Sequence, residues 1–329
     1  MLTYIARRVL YMIPTVIMIS IVAFAVIQLP PGDYISTVLA EMAELGETIE
    51  RDQLTALVER YGLNRPLHVQ YFRWVSGIVT RGDFGMSFEW GIPVSTLIWS
   101  RLALTFMLSL ATTLFIWIVA IPIGIYSALR QYSVGDYVAS TVGFLGLATP
   151  NFLLALILMY IAFSVFGQSV GGLFSTEFVN APWSFARFVD LLKHLWIPVI
   201  VLGTAGTAGL IRTMRANLLD ELKKPYVVTA RSKGLPERTV IMRYPVRLAL
   251  NFFVSAQANI LVTLVSGASI VSIVLSLPTT GPLLLRSLMA QDMYLAGSFI
   301  LMLSVLNVIS TLISDIALAA LDPRIRYTK

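Results

Sequence analysis

Long apolar runs dominate the sequence, and most of them are long enough for a helix to cross a bilayer. The first run, 9–29, has 21 residues, and a transmembrane helix needs about 20. Only 13% of the 329 residues are charged, whereas soluble domains carry about 25%. The chain therefore needs an apolar solvent, and we predict an all-α polytopic membrane protein with six transmembrane helices. The predicted spans are 9–29, 102–129, 137–166, 195–211, 248–277 and 294–321.

The predicted spans divide the chain into a few regions. Residues 1–8 precede the first span, which is longer than the apolar part of a signal peptide, about 7–15 residues, and is not followed by a small-residue cleavage site. Residues 30–100 are polar and are interrupted by glycine and proline, so we predict an extracytoplasmic cap. We predict that residues 101–329 form a five-helix transmembrane core, in which Pro122, Gly124 and Pro150 are candidate hinges.

Basic residues indicate which side of the membrane each loop faces, because cytoplasmic loops carry an excess of Lys and Arg. Nine of the 24 Lys and Arg residues lie in the segment 212–247, and the basic residues of both termini fall on the same side of the predicted spans. Twelve of the 18 Asp and Glu residues fall on the other side. We therefore predict that both termini and the segment 212–247 are cytoplasmic.

The residue types that most catalytic and metal sites need are scarce. The chain has no cysteine and only two histidines, His68 and His194, which are far apart. Disulfides and zinc–thiolate sites are therefore excluded, and a histidine metal cluster is not expected. The net charge of +6 fits basic cytoplasmic loops, and no aromatic–basic interleaving indicates a nucleic-acid surface. We predict no catalytic residue, no metal site and no cofactor bound by this chain.

Few strongly polar residues fall inside the predicted spans. Asp315 lies close to the end of the last span, where a carboxylate reaches water or a neighbouring group. Gln257, Asn259 and Asn307 fit either hydrogen bonds between helices or the lining of a substrate path. Because proton relays and ion sites need charges inside the membrane, an ion-coupled carrier is disfavoured. Energy for uphill transport would have to reach this chain from another protein.

Three glycines fall inside the fourth predicted span, in Gly203-Thr204-Ala205-Gly206-Thr207-Ala208-Gly209. A phosphate-binding loop needs Lys-Ser/Thr after its last glycine, and here Leu210 and Ile211 follow. Small residues at this density let neighbouring helices approach closely. We expect close helix packing here, with a thin wall beside a translocation path as the alternative.

The segment 212–247 is the one long polar and basic stretch of the core. Pro225 should end the helix that continues from the fourth span, because proline lacks the N–H that a helix interior needs. The pattern predicts a short helix over 226–233, a stop at Gly234, and a second helix opened by Pro236-Glu237 and running to Tyr244.

Such a helix pair could serve as a docking element. Three small residues, Ala230, Ser232 and Gly234, fall at the predicted tip, where they would permit close contact with a groove on a partner. The alternative is a solvated basic loop, since blocks of charge are usually solvated.

The middle of this segment resembles the EAA loop of membrane subunits of ATP-binding-cassette (ABC) importers, and most closely the Y-x-x-T-A-R-A-K-G-L form of the dipeptide/oligopeptide/nickel permease family. It reads Tyr226-Val227-Val228-Thr229-Ala230-Arg231-Ser232-Lys233-Gly234-Leu235. Other motifs of this family occur in the same order along nearly the whole chain. They are Arg7-Arg8 with Ile13-Pro14-Thr15, Pro31-Gly32-Asp33, Tyr61-Gly62-Leu63-Asn64-Arg65-Pro66-Leu67 with Gln70-Tyr71, Gly82-Asp83-Phe84-Gly85, and Leu321-Asp322-Pro323-Arg324-Ile325-Arg326-Tyr327.

The sequence departs from the family pattern at one place. After the fifth span the family usually has E-x-x-x-x-x-P-G-x-G, but here Ser272 stands at the glutamate position, and Thr279-Thr280-Gly281 follows Pro278. A missing carboxylate at the outer end of the fifth span bears on which cargo can enter. The resemblance leaves the cargo open among peptides, nickel chelates, and sugar or amino-acid conjugates.

The resemblance implies a type I ABC importer permease fold in a prokaryotic inner membrane. It implies a permease subunit, surrounded by membrane lipid, that forms half of a translocation path. The implied partners are a second homologous permease, two ABC ATPases that bind ATP and Mg²⁺, and an extracytoplasmic substrate-binding protein. A self-contained channel or secondary carrier is the alternative function, and a membrane scaffold without cargo is a third.

Two sets of residues follow from these predictions. The predicted ATPase-coupling residues are Tyr226, Thr229, Ala230, Arg231, Ser232, Lys233, Gly234, Leu235 and Glu237. The predicted path residues are Gln257, Asn259, Ser272 and Asn307.

Overall fold

The computed structural model describes residues 2–28, 65–167, 171–179, 181–251, 253 and 269–321. These residues are mostly helical and form no strand, apart from an isolated bridge between Met86 and Pro93. The helices are α1 Leu2–Gln28, α2 Leu67–Arg81, α3 Val94–Leu129, α4 Val134–Ala148, α5 Asn151–Phe166, α6 Phe185–Leu222, α7 Pro225–Ser232, α8 Glu237–Arg243, α9 Pro245–Ala249, α10 Ser269–Val274, α11 Thr280–Met289 and α12 Met293–Leu321.

Four of the described helices are long and apolar enough to cross a membrane: α1, α3, α6 and α12. The pair α4 and α5 passes the same test together and adds a fifth span if the two helices are one broken crossing. The prediction of an all-α chain with several spans is confirmed. Most of the predicted span 248–277 lies outside the described residues, so the number six remains a prediction.

The predicted span 9–29 corresponds to α1, which already begins at Leu2, and three further predicted spans have clearly different bounds in the structure. The span 137–166 is not one helix, since α4 and α5 meet at a bend of 101°. Thr149 has extended backbone angles (φ −79°, ψ 121°) and Pro150 precedes α5, because proline clashes with a helical residue before it and cannot donate a backbone hydrogen bond.

The other two helices extend beyond their apolar centres. Helix α6 has 38 residues rather than the predicted 195–211, and its start is capped by the Ser184 hydroxyl, which accepts from the Arg187 N–H at 3.2 Å. Helix α3 begins at Val94 instead of 102 and includes Arg101. An apolar run marks only the part of a helix that lies in hydrocarbon, whereas the backbone remains helical into the polar flanks.

The chain divides into two compact units. One unit contains 1–103 and 279–312, and the other contains 104–278 and 313–329. Two boundaries between the units fall within the helices α3 and α12, near their residues 103 and 312, and the third falls at 278/279, between α10 and α11.

Helix α6 is the centre of the unit 104–278. A Cβ on Gly203 would lie 2.5 Å from Phe115 Cδ1 of α3, and one on Gly206 would lie 2.9 Å from Ile116 Cδ1. On α4, Gly146 makes an equally close approach to α6, since a Cβ at this position would overlap the Thr204 methyl group. The close helix packing expected for the glycine run is confirmed. Larger residues here would push α6 away from two neighbours at once.

The other unit joins α1, α2 and the outer turns of α12. The Tyr71 and Ser20 hydroxyls lie 2.8 Å apart, and the Trp74 indole N–H donates to Ser298 Oγ at 3.3 Å. The described part of the predicted cap, 65–100, therefore packs directly on transmembrane helices. The remainder of the cap, 30–64, lies outside the described residues.

A buried carboxylate organises the loop between α2 and α3. Asp292, just before α12, is fully buried and accepts from Ser87 Oγ at 2.5 Å and from the Leu295 N–H at 3.1 Å. Burial raises the pKa of Asp292, although the hydrogen bonds from Ser87 and from backbone N–H groups oppose that shift.

Candidate functional site

The cytoplasmic end predicted for α6 leads directly into α7. Helix α6 ends at Leu222, two lysines follow, and Pro225 occupies the first turn of α7. Proline is tolerated there because the N–H groups of the first turn have no partner within the helix. The predicted break at Pro225 is confirmed. Helix α7 is therefore joined to α6 by a connection of only two residues.

The turn between α7 and α8 depends on Gly234. Its φ angle is +74°, a left-handed conformation that L residues with a side chain adopt only with strain. The Gly234 N–H donates to the Arg231 carbonyl at 2.9 Å. Helix α8 then begins at Glu237, after Pro236, and ends at Arg243. The predicted stop at Gly234 and the second helix are both confirmed.

The α7–α8 pair has a small apolar core of its own. Val227 and Val240 are fully buried, and Ala230 is only 6% exposed. Tyr226 and Tyr244 pack at the edge of this cluster. The prediction that Ala230 lies exposed at the tip is wrong. Positions 227 and 230 share one face of α7, and that face packs on α8, so Ala230 is small in order to let the two helices approach.

Two polar contacts brace the same pair. The Arg231 guanidinium donates to both carboxylate oxygens of Glu237, with distances of 2.6 to 3.2 Å across the turn. The Tyr226 hydroxyl donates to Glu221 Oε2 at 2.5 Å, which ties α7 to the end of α6.

The electrostatics of these groups follow from the contacts. The hydrogen bond from Arg231 lowers the pKa of Glu237, and the hydrogen bond to Glu237 raises the pKa of Arg231. Burial, followed by the hydrogen bond to Glu221, raises the pKa of Tyr226. Because the Arg231–Glu237 pair is solvent-exposed, it adds little to stability but restricts the shape of the turn.

Seven of the nine predicted coupling residues are exposed, Tyr226 is half-buried, and Ala230 is buried. Two exposed apolar residues were not predicted, namely Val228 (55% exposed) and Met242 (52%). Adjacent residues of a helix point in different directions, so the pair Val227-Val228 already required that one of the two valines face away from the core. The exposed residues of α7 and its turn are Pro225, Val228, Thr229, Arg231, Ser232, Lys233, Gly234, Leu235 and Pro236.

Two of the four predicted path residues, Ser272 and Asn307, lie in the described part of the chain, each in a different unit. Ser272 is buried in α10, where its carbonyl accepts from the Leu277 N–H at 2.7 Å. Asn307 is exposed on α12, in the segment that belongs to the other unit. Gln257 and Asn259 lie outside the described residues, so these path assignments remain predictions.

Sequence models of two protein families match the chain. Residues 120–327 match the "Binding-protein-dependent transport system inner membrane component" family. The chain belongs to this family of inner-membrane transport components. Residues 1–111 match the accompanying "Binding-prot-dependent transport system membrane comp, N-term" family.

Named relatives align along their full lengths. The chain is 36% identical to "Oligopeptide transport system permease protein AppB" of Bacillus subtilis over 328 residues, covering 99% of this chain and 100% of that protein. It is 30% identical to "Dipeptide transport system permease protein DppB" of Alkalihalophilus pseudofirmus, covering 99% and 100%. It is also 30% identical, over the same shares, to "Glutathione transport system permease protein GsiC" of Salmonella paratyphi A.

This family membership confirms the main functional prediction. The chain is a transmembrane permease subunit of an ATP-driven ABC importer, with the type I importer permease fold, in a bacterial inner membrane. It works within an ABC transporter complex and is not itself an enzyme. A self-contained channel or secondary carrier is not supported.

Proposed function

We propose that this permease subunit forms half of the translocation path of a peptide importer. Its aligned relatives are named for oligopeptide, dipeptide and glutathione transport, and these cargoes share peptide bonds and free termini. The scarcity of charged residues in the apolar centres of the described spans suits a path that passes the neutral peptide backbone. Gln257, Asn259, Ser272 and Asn307 are the polar residues that we assign to it.

The complete transporter in this proposal contains a second homologous permease, two ABC ATPases and an extracytoplasmic binding protein that delivers the peptide. ATP and Mg²⁺ bind to the ATPases, and this chain holds no cofactor of its own. The permease has six spans with both termini in the cytoplasm, and the segment 30–100 contributes to the platform for the binding protein.

The α7–α8 pair is the element through which the ATPases act on this subunit. The supporting observation is its construction: the pair has an internal core of Val227, Ala230 and Val240, whereas Val228 and Leu235 remain exposed. A rigid element with an exposed apolar face suits docking in a groove. Closure of the ATPases then shifts the permease between inward-open and outward-open states, provided that the docked pair favours one of them.

The test is peptide import by the purified complex in proteoliposomes, with ATP hydrolysis measured in parallel. Val228→Lys places a charge on the exposed face of α7 and should lower import per ATP hydrolysed, because it disturbs docking without touching the core of the pair. Thr239→Lys, exposed on α8, is the matched control. Equal import by wild type and Val228→Lys would contradict the docking assignment. Import by this chain alone, without ATP, would contradict the proposed function.

A further inference from the structure

A partly buried ion pair joins α6 to the start of α4. The Arg215 side chain donates from Nε to Asp136 Oδ1 at 3.0 Å and from Nη2 to Oδ2 at 2.9 Å. Two parallel hydrogen bonds between a guanidinium and a carboxylate form a strong and directional contact. Asp136 is only 3% exposed, whereas the Arg215 side chain is 25% exposed, so the carboxylate is shielded from water and the guanidinium only partly. The two residues are 79 positions apart in the sequence.

Asp136 also shapes the turn between α3 and α4. Its Oδ2 accepts from the Tyr132 N–H at 3.0 Å, and its own N–H donates to the Ser133 hydroxyl at 3.3 Å. Tyr132 has a φ angle of +63°, which a bulky residue adopts only where its surroundings hold it. Asp136 therefore contacts the turn and the Arg215 side chain through its carboxylate, and the N-cap of α4 through its backbone N–H.

Arg215 lies close to the point where α7 acts on α6. It is about two helical turns before the end of α6 at Leu222. Its neighbours Met214 and Leu218 are fully buried in a cluster that includes Val246 of α9. This end of α6 is thus packed firmly, and a movement of α7 reaches Arg215 before it reaches the centre of the helix.

We propose that the Asp136–Arg215 pair is a positioning link that carries displacement of the α7–α8 pair from α6 into α4 and the bent α4–α5 segment. This inference rests on the function proposed above. The two parallel hydrogen bonds resist both rotation and sliding of α6 relative to α4. A single hydrogen bond or apolar packing would not resist both. The bend of 101° beyond α4 is the hinge at which the transmitted movement changes direction.

The chain offers a chemically matched control. Arg286 donates from Nε to Glu89 Oε1 at 2.6 Å, but its side chain is 68% exposed and belongs to the other unit. Arg286→Gln removes an Arg–carboxylate pair without touching the link between α4 and α6. Arg215→Lys keeps the charge at the link but loses the two parallel hydrogen bonds, since lysine offers a single point charge.

The experiment uses the assembled importer with its permeases, ATPases and binding protein. We expect Arg215→Gln and Asp136→Asn each to lower peptide imported per ATP by about tenfold, the range of typical couplings between sites, while assembly and basal hydrolysis persist. The double variant should lose no more than either single variant, because both changes break one link. Arg286→Gln should import normally.

A second readout follows the movement itself. The chain has no cysteine, so spin labels can be placed at Val134→Cys on α4 and Thr239→Cys on α8. When Arg215 and Asp136 are intact, the distribution of distances between the two labels should stay narrow through the ATP cycle. In the Arg215→Gln variant this distribution should broaden.

Three results would contradict the proposal that the Asp136–Arg215 pair is a positioning link. They are unchanged import per ATP in both single variants, additive losses in the double variant, or loss of the assembled complex in every Arg215 and Asp136 variant including Arg215→Lys. Absence of ATP-dependent import by the wild-type complex would instead overturn the proposed function.

Discussion

Substitutions at Gly234 test whether the shape of the α7–α8 turn controls coupling. The φ angle of +74° is the reason that glycine is required at this position. Space is not the reason, because a Cβ here would have no atom within 4 Å. Gly234→Ala therefore introduces backbone strain without a clash, at about 1–2 kcal/mol. Gly234→Asn should cost less, since asparagine tolerates this region better. Gly234→Pro should cost the most, because proline cannot reach a positive φ and loses the hydrogen bond to the Arg231 carbonyl.

Hydrogen exchange of the backbone amides between 225 and 244 measures this strain in the assembled complex. A loss of 1–2 kcal/mol corresponds to about 5- to 30-fold faster exchange through local opening. Import per ATP should fall in the same order, from Asn through Ala to Pro, because a loosened pair transmits less of the movement of the ATPases.

The matched control is Gly82→Ala at the end of α2. Gly82 has a φ angle of +64° and likewise no atom within 4 Å of a Cβ, so the strain is comparable but lies in the other unit. Exchange near α2 should quicken, and coupling should remain at the wild-type value. Wild-type exchange in Gly234→Ala, or an equal loss of coupling in Gly82→Ala, would refute the reasoning.

Further predictions concern individual contacts. Ala230→Glu buries a charge between α7 and α8 and should destabilise the pair by several kcal/mol, so that limited proteolysis cleaves 225–244 faster than in Ser232→Glu, which is exposed. In Arg231→Gln the turn loses the ion pair with Glu237. Because the pKa of Glu237 is lowered, the ion pair stabilises the turn fully above the ordinary glutamate pKa, and this stabilisation is lost as pH falls through the lowered pKa. Salt should weaken it as well, because the pair is exposed and is screened by ions. Matched pH and salt series of hydrogen exchange in wild type and Arg231→Gln should therefore converge at low pH and high salt. The raised pKa of Asp292 means that its contribution to stability is greatest at low pH and is lost as pH rises through that pKa. The unfolding temperature of Asp292→Asn should lack this pH dependence. The same pH profile in wild type and in Asp292→Asn would contradict the assignment to Asp292.

Features that depend on local chemistry could be predicted from the sequence. The break at Pro225, the stop at Gly234 and the start of α8 all follow from what proline and glycine do to their own backbone. The presence of several spans follows from the length of the apolar runs. These signals act over a few residues and need no knowledge of what packs against them.

Predictions failed where packing against another helix determines whether a side chain is buried or how two helices are oriented. Ala230 was expected at an exposed tip, but α8 covers it, whereas Val228 beside it is exposed. Both are small apolar residues in a short helix, and only the direction from which α8 packs distinguishes them. The apolar run 137–166 likewise predicted one helix, because the sequence pattern marks the residues that enter hydrocarbon and not the angle at Pro150.

The sequence by itself determined that this chain crosses a membrane several times, where the helix leaving the fourth predicted span breaks, and which residues form the turn of the α7–α8 pair. Only the tertiary structure decided that Asp136 forms an ion pair with Arg215 and that Ala230 is part of a core. The same holds for the close packing of Phe115 on Gly203 and of Ile116 on Gly206. The physical reason is range. Backbone preferences and apolar length are properties of consecutive residues, whereas the partner of a carboxylate or of a glycine face is set by how distant helices come to lie against each other.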